Sequence, residues 1–469
     1  MKKTILSVGW GAELRAEILD KVESLNSGEI NFFHIVETGP RSKCVNPTAP
    51  ENIHFVSVPN FPQVSHEDRR FLEKLEVEGI PTIRSMIAGD PYLRYLDSEL
   101  ALGYASMLAK TILKIIEDKK PLIVLASNDR LISSIALAVA YKTKTQFVAM
   151  AFTVIPDNRA WFIERMTPNS LISLKLGSNQ GISVEETRKT LSGFYQKLTK
   201  PAAYVAPRSM MSAFFEGFML FGNKLKRYVS AKHEGDSRFG TFSFWQAASN
   251  RGRRLLNRAS LIGLDMVTTP PKDKFAYYPM HMSPESMVDT WAVFHQNQLG
   301  LLRQIALALP LDMKLVVKLH FSDPDSYSAH ELSALAKITG VLIASPDADA
   351  RTFLESASLV FGITGTSCLE AALLGKPTII FADTPYLEFP NNVRAKLPDE
   401  LFTQIREMLR RSPPSQEDIE KAFVRYANRY LPGRVNDWNI PLCTADVEKY
   451  NRCFKELVNH VLKEKSKSP

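Results

Sequence analysis

The sequence predicts an α/β protein made of two Rossmann-like domains, each with a parallel sheet covered by helices on both faces. Three observations carry that prediction. Short apolar runs alternate with amphipathic ones through the first third of the chain, and the alternation resumes near residue 275. Between them, residues 183–268 are helical and basic, with little strand signal. The chain has 469 residues, 45% hydrophobic and 23% charged, which suits a soluble globular protein of two or three domains.

Taken in order, "KTILSVG" reads as a strand and "AELRAEILDKVESL" as an amphipathic helix. "INFFHIVE" and "NIHFVSVP" are further strands. A long helical pattern covers 93–118, followed by strand "PLIVLAS", helix "RLISSIALAVAYK" and strand "QFVAMAF". The basic region holds "VEETRKTLSGFYQKL", "RSMMSAFFEGFMLFGNKLKRYVSAK" and "WQAASNRGRRLLNRASLI". The second alternation has strands "FAYYPM", "MKLVVKLH", "GVLIASP", "SLVFGIT" and "KPTIIFA". Its expected helices are "WAVFHQNQLGLLRQIALAL", "SAHELSALAKI", "ADARTFLESA" and "CLEAALLG". The tail is helical in patches, broken at "RSPPSQ" and closed by "ADVEKYNRCFKELVNHVLKEK". The expected domains are 1–182 (N-terminal Rossmann-like), 183–268 (helical insertion), 269–435 (C-terminal Rossmann-like) and 436–469 (C-terminal helix).

Fifty-eight Lys and Arg against 50 acids give a formal charge of +8, which suits anionic partners. Lys224, Lys226, Arg227, Arg251, Arg253, Arg254 and Arg258 concentrate it in the helical region, interleaved with aromatics. They read either as a solvated face or as a surface for anionic headgroups. No nucleic-acid motif accompanies them. Four scattered cysteines (Cys44, Cys368, Cys443 and Cys453) form neither a disulfide framework nor a zinc site. The opening apolar segment meets Glu13 and Arg15 too soon for a secretory signal. No apolar run approaches the roughly 18 residues of a spanning helix. The expected location is the cytoplasm, with peripheral contact at the inner face of the membrane through the basic region.

The stretch "SLVFGITGTSCLEAALLGKPTIIF", residues 358–381, ends a strand on Thr364-Gly365-Thr366-Ser367 in front of a helix. Ligands of open parallel sheets collect beyond the strands' carboxyl ends, where a helix start offers unpaired N–H groups to an anion. Gly365 allows close approach, and the hydroxyls add donors, one of which would otherwise cap the helix. Glu370, one turn on, can reach a ribose hydroxyl. "KFAYYPMHMSPES" clusters Tyr277, Tyr278, His281 and Glu285 at another strand end. "KLVVKLH" delivers Lys318 and His320, which alternation puts on one face, to offset phosphate charge.

"YYPMHMSPE", "VVKLH" and "ITGTSCLEAALLGKPTIIF" together resemble the capsule polysaccharide synthesis family, of the type that transfers 3-deoxy-D-manno-octulosonic acid (Kdo) from CMP-Kdo. The resemblance covers residues 275–390. It departs from the family pattern at Phe321, where a proline would follow His320. It implies a GT-B-like arrangement, two domains facing a cleft, and a glycosyltransferase of surface polysaccharide assembly. On that reading Gly365, Thr366, Ser367, His320, Lys318, Glu370 and Glu285 bind the donor nucleotide, and His281 belongs to the catalytic group. In "AFTVIPDNRAWFIERMTPNSLI" the resemblance puts the family's carboxylates at Asp157 and Glu164. Glycosyl transfer through an oxocarbenium-like state independently calls for such acids, one as nucleophile and one as base. The family mechanism implies retention, with attack by Asp157. Asp129 in "SNDR" is the rival.

Gly9 and Gly11 lack the full dinucleotide fingerprint and read as a tight turn leaving room for an acceptor. No metal motif is evident, so no cofactor is expected beyond the nucleotide-sugar donor. The expected partners are that donor and a glycan or glycolipid acceptor, without nucleic acid. The alternatives are a polyol-phosphate transferase or sugar epimerase on the same scaffold, or a non-catalytic glycan-binding relative.

Overall fold

"KTILSV" becomes β1 (Lys3–Val8), with Ile5, Leu6 and Val8 fully buried, as a strand covered on both sides requires. The computed structural model describes residues 3–9, 13–26, 29–37, 52–56, 62–90, 93–126, 131–153, 155–156, 159–164, 172, 174, 182–196, 243–283, 285, 287–321, 323–432 and 444–467. They divide into two units, described separately. One takes the described parts of Met1–Gly181, Glu216–Gln246 and Ala427–Pro469. The other takes those of Ile182–Phe215 and Ala247–Tyr426.

In the first unit β1 is followed by β2 (Ile30–Glu37), β3 (Ile53–Val56), β4 (Ile123–Ala126) and β5 (Gln146–Phe152), all parallel, in the order β3-β2-β1-β4-β5. This is the Rossmann order. β6 (Arg159–Ile163) then pairs antiparallel with β5, and a two-residue strand at Leu431–Pro432 pairs antiparallel with β6. The helices are α1 (Glu13–Leu25), α2 (His66–Glu73), α3 (Ile83–Gly89), α4 (Ser98–Lys119) and α5 (Leu131–Lys142). The pattern over 93–118 resolves into a 3-10 turn at Leu93–Tyr95 and then α4. Asp97 accepts a hydrogen bond from the Glu99 amide and so starts a new helix.

The second unit carries a six-stranded, wholly parallel sheet. Its strands are β7 (Phe275–Pro279), β8 (Lys314–Lys318), β9 (Val341–Ala344), β10 (Leu359–Gly362), β11 (Thr378–Ile380) and β12 (Asn392–Arg394). They lie in the order β12-β11-β10-β7-β8-β9, again the Rossmann arrangement. Alternation along the strands sorts the core. Tyr278, Leu315, Val317 and Phe361 pack on one face, Phe275, Tyr277, Val316 and Val360 on the other. The helices are α6 (Val184–Tyr195), α7 (Ser243–Ser260, whose residues from Ala247 on belong to this unit), α8 (Gln298–Ala308), α9 (Ala329–Ala336), α10 (Ala350–Ser356), α11 (Thr366–Leu373), α12 (Leu401–Arg410) and α13 (Gln416–Asn428).

The helix expected over "WAVFHQNQLGLLRQIALAL" is divided. A π turn at Met287–Trp291 and a 3-10 turn at Val293–His295 precede α8. The Asn297 side chain accepts the Gly300 amide, so an N-cap stands where helix interior was expected. The last helix, α14 (Thr444–Lys467), belongs to the first unit. It lays Tyr450, Phe454, Leu457, Val458 and Val461 onto Phe32 and Ile123, with Phe454 edge-on to Phe32 at 5.7 Å. The expected helix "RSMMSAFFEGFMLFGNKLKRYVSAK" lies outside the described residues, as do Cys44 and Cys443. No described helix is long and apolar enough to cross a membrane.

Candidate functional site

In the second sheet the strand order reverses between β7 and β10, which are neighbours but far apart in sequence. Crossovers leave these two strands in opposite directions, and open α/β sheets take their ligands beyond the carboxyl ends at such a point. Residues 280–283 and 285 leave β7 there, 319–321 and 323 leave β8, and 363–367 leave β10.

His281 is fixed from four directions. Its backbone N–H donates to Gln298 Oε1 (2.9 Å), and Gln298 Nε2 donates to its carbonyl (3.1 Å). Its Nδ1 lies 2.6 Å from Glu285 Oε2, and the Thr364 amide points at its Nε2 at 3.4 Å. An N–H aimed at Nε2 leaves the proton on Nδ1, which then donates to Glu285. Burial acts to raise the Glu285 pKa, but the His281 contact and nearby His320 outweigh it and hold the carboxyl below its usual range. Gly365 packs directly on this imidazole. A Cβ there would lie 3.1 Å from His281 Cε1 and 3.2 Å from Ser367 Oγ. That close approach is the reason for a glycine at this position.

Gly365 is also the N-cap of α11, and no side chain caps the helix. The alternative reading of Thr364, Thr366 and Ser367, that one of them serves as a cap, is therefore not what the structure shows. The Cys368 amide reaches back to the Gly365 carbonyl, while the earlier amides of the turn face outward with the positive end of the helix dipole. Thr364 is 3% exposed, and its Oγ1 has no partner among the described residues. A buried hydroxyl left unsatisfied costs about 1–3 kcal/mol, which a ligand oxygen would recover.

Deeper in the same turn, Glu370 is partly buried and its pKa is pushed up to about 7 by burial, with Arg351 acting weakly against it. Beside it Tyr277 stacks on Phe353 (6.0 Å) with its hydroxyl buried and unpartnered among the described residues. Polar groups in this state are candidates for ligand contact.

Lys318 ends β8 but turns away from solvent. Its Nζ donates to the carbonyls of Pro346 (3.0 Å) and Leu319 (3.3 Å). Burial lowers its pKa to about 8 against the pull of Asp347 and Asp349. His320, two residues past it, stacks on Phe321 at 4.8 Å. Phe321, the departure from the family pattern, thus forms a platform for the imidazole. Burial lowers the His320 pKa, with Glu285 and Asp323 opposing and His281 and Lys318 assisting.

The described site therefore gathers His281, Glu285, Lys318, His320, Thr364, Gly365, Thr366, Ser367 and Glu370 within the second unit. Glu164 lies in the first unit, exposed, just past β6. Asp157, Asp129 and Gly11 lie outside the described residues; Gly9 takes a left-handed φ of 91°, as a tight turn requires. Three residues escaped sequence reasoning. Gln298 was hidden in an apparent helix interior. Asp323 follows His320 by three residues in "HFSDPDS". Arg254 read as one of a run of surface cations, yet it pairs with Asp323 at 2.5 Å. Of the remaining basic residues, Arg253 is exposed and Arg258 partly buried, while Lys224, Lys226 and Arg227 lie outside the described residues.

No family model and no curated protein matches the chain. Similar solved structures include a β-Kdo 2,7 transferase, KpsC, of Thermosulfurimonas dismutans (13% identity, 75% of this chain and 89% of that one, TM-score 0.33). Another is the UDP-GlcNAc 2-epimerase of Methanocaldococcus jannaschii in complex with UDP-GlcNAc and UDP (12%, 91% and 99%, TM-score 0.28). A third is Anabaena Alr3699/HepE in complex with UDP and glucose (12%, 98% and 100%, TM-score 0.30). Likeness of this extent assigns no activity. The fold assignment, two α/β units of Rossmann strand order, rests on the strand pairing itself.

Proposed function

We propose that the second unit binds the nucleotide of an activated sugar, and that the chain is a glycosyltransferase moving Kdo or a related acidic sugar from a CMP-linked donor. The acceptor on this reading is a surface glycan or glycolipid in capsule assembly. The observation that carries the reading is the uncapped start of α11 at the switch point, closed on one side by His281. Its amides, with the Thr366 and Ser367 hydroxyls, suit a phosphate. His320 and, more remotely, Lys318 offset the charge that grows on the leaving phosphate, and no metal is needed for a single phosphate. Glu370 accepts a ribose hydroxyl. His281 turns its Nε2 toward the start of α11, while Glu285 on Nδ1 holds the ring's orientation. Asp157 and Glu164 remain the proposed carboxylates of the first unit, Asp157 as nucleophile. The proposed setting is the cytoplasm, with the basic helical region against the inner membrane face.

The test is a calorimetric and thermal-shift panel of CMP, CDP, UDP and GDP, followed by a transfer assay with CMP-Kdo. CMP is expected to bind tightest, and His320→Ala or Thr366→Ala to weaken it about tenfold or more while the protein stays folded. Full affinity and activity in both variants would rule out the site. Preference for UDP with inversion at a sugar carbon would make the chain an epimerase. Transfer from CDP-glycerol would make it a polyol-phosphate transferase. Glycan binding without turnover would remove it from the enzymes.

A further inference from the structure

α7 belongs to the region that reads from sequence as a charged surface, yet its inner edge is fastened to two loops of the site. Arg254 spreads its guanidinium across both. One nitrogen donates to Asp323 Oδ1 (2.5 Å) and reaches Asp325 Oδ1 (3.4 Å); the other donates to the Ser283 carbonyl (2.8 Å). Asp323 is 7% exposed, and its second oxygen accepts the Ser283 amide (2.7 Å) and the Ser326 hydroxyl. Asn257, one turn along α7, donates to the Asp325 carbonyl (3.0 Å). Both backbone groups of Ser283 are thus held, midway between His281 and Glu285. The Asp323 amide in turn donates to the His320 carbonyl (3.1 Å).

We propose that Arg254 is a positioning residue: through Asp323 it sets the His320 loop against the His281–Glu285 loop, so that α7 controls where the second imidazole stands.

His281 has Gln298, Glu285 and the Thr364 amide of its own. His320 sits past the end of β8, and the fork of Arg254 on a buried carboxylate is a charge-assisted contact that ties its loop to Ser283. A planar fork reaches both Asp323 and Ser283; an ammonium satisfies one. Loss of the tie therefore displaces His320 and leaves His281 in place. The charged and titratable groups facing His320 are Glu285, Asp323, His281 and Lys318, and its titration reports its distance from them.

The experiment is histidine-selective NMR titration of the full chain without ligand, in wild type, Arg254→Met, Arg254→Lys and Asp323→Asn, each checked for folding. The expected result is that the His320 titration midpoint moves by several tenths of a unit or more in Arg254→Met and less in Arg254→Lys, while the His281 ring signals hold. Asp323→Asn removes a charge that faces His320, so it is read by the displacement of the His320 ring signals at a pH where the ring is fully neutral. An unchanged His320 midpoint in the folded Arg254 variants overturns the proposal, as does equal displacement of His281. Should Arg254→Met not fold, Arg254→Lys still decides it.

A second arm measures CMP affinity and rests on the nucleotide reading above. If Arg254 acts through Asp323, the Arg254→Met and Asp323→Asn losses, each about tenfold, do not add in the double variant. If Arg254 itself meets the nucleotide, Asp323→Asn leaves affinity intact and the proposal falls. Failure of wild type to bind any nucleotide sinks the nucleotide reading alone, because the titration arm contains no ligand.

Discussion

Two carboxylates, one in each unit, have been driven in opposite directions. Asp68, at the start of α2 in the first unit, accepts hydrogen bonds from Lys110 (2.7 Å), Ser106 (2.5 Å), and the amide (2.9 Å) and hydroxyl (2.6 Å) of Ser65. Lys110, then the two serines, hold its pKa well below the usual carboxylate range. Glu370, in α11 of the second unit, accepts no hydrogen bond from any described residue, and burial raises it to about 7. The units share a strand order, so topology does not explain the contrast. Asp68 has its partners within the chain and closes a capping box between helices. Glu370 is buried without such partners among the described residues, at a cost to stability.

The sharpest way to break this comparison is Glu370→Gln. An acid whose folded pKa rises from its ordinary 4.5 to about 7 binds its proton more tightly when folded. Stability therefore falls as pH climbs from 4.5 to 7, and stays lowered above. The variant is expected to match wild type near pH 4 and to exceed it by up to about 3 kcal/mol at pH 8. Hydrogen exchange read separately on peptides of the second unit measures it. No gap at pH 8 would mean that Glu370 has a partner after all.

Gly365→Val comes next. Its Cβ would meet the His281 ring, so the imidazole or the start of α11 must shift. CMP affinity is expected to drop about thirtyfold, roughly 2 kcal/mol, by calorimetry. Exchange in the first unit should not change. A variant that binds normally would show that the phosphate does not enter there.

Asp68→Asn gives the smallest effect and the opposite sign. A depressed folded pKa contributes stability above the ordinary 3.8, lost as pH falls through and below it. Lys110 is half exposed, so screening limits the expected loss at pH 7 to about 1 kcal/mol. It should be confined to peptides of α2 and α4, with CMP binding unchanged. The gap should close below pH 4.

Much of this was open to reading from sequence because it is local. Alternating apolar runs mark strands β1 to β5 and β7 to β11, since a parallel strand must be apolar on both faces wherever it lies. The strand–Gly–Thr–Ser–helix transition at 362–367 announces a helix start by composition alone. β6 was missed because its antiparallel return after β5 has no crossover helix to announce it. The helix expected from 291 onward starts only at 298 because Asn297 caps it, and capping competes with periodicity over a few residues.

The sequence alone therefore determined most of the parallel strands, how two α/β units alternate, and which strand ends carry His281, His320 and the Gly365 turn. Only tertiary structure decided what those residues do to one another. The Thr364 amide meets His281 across 83 residues, and Arg254 reaches Asp323 across 69. Periodicity reports the few neighbours along one element. Such partnerships are chosen by sheet order and burial, which bring distant loops to one edge and leave Arg254 a tie instead of a solvated charge.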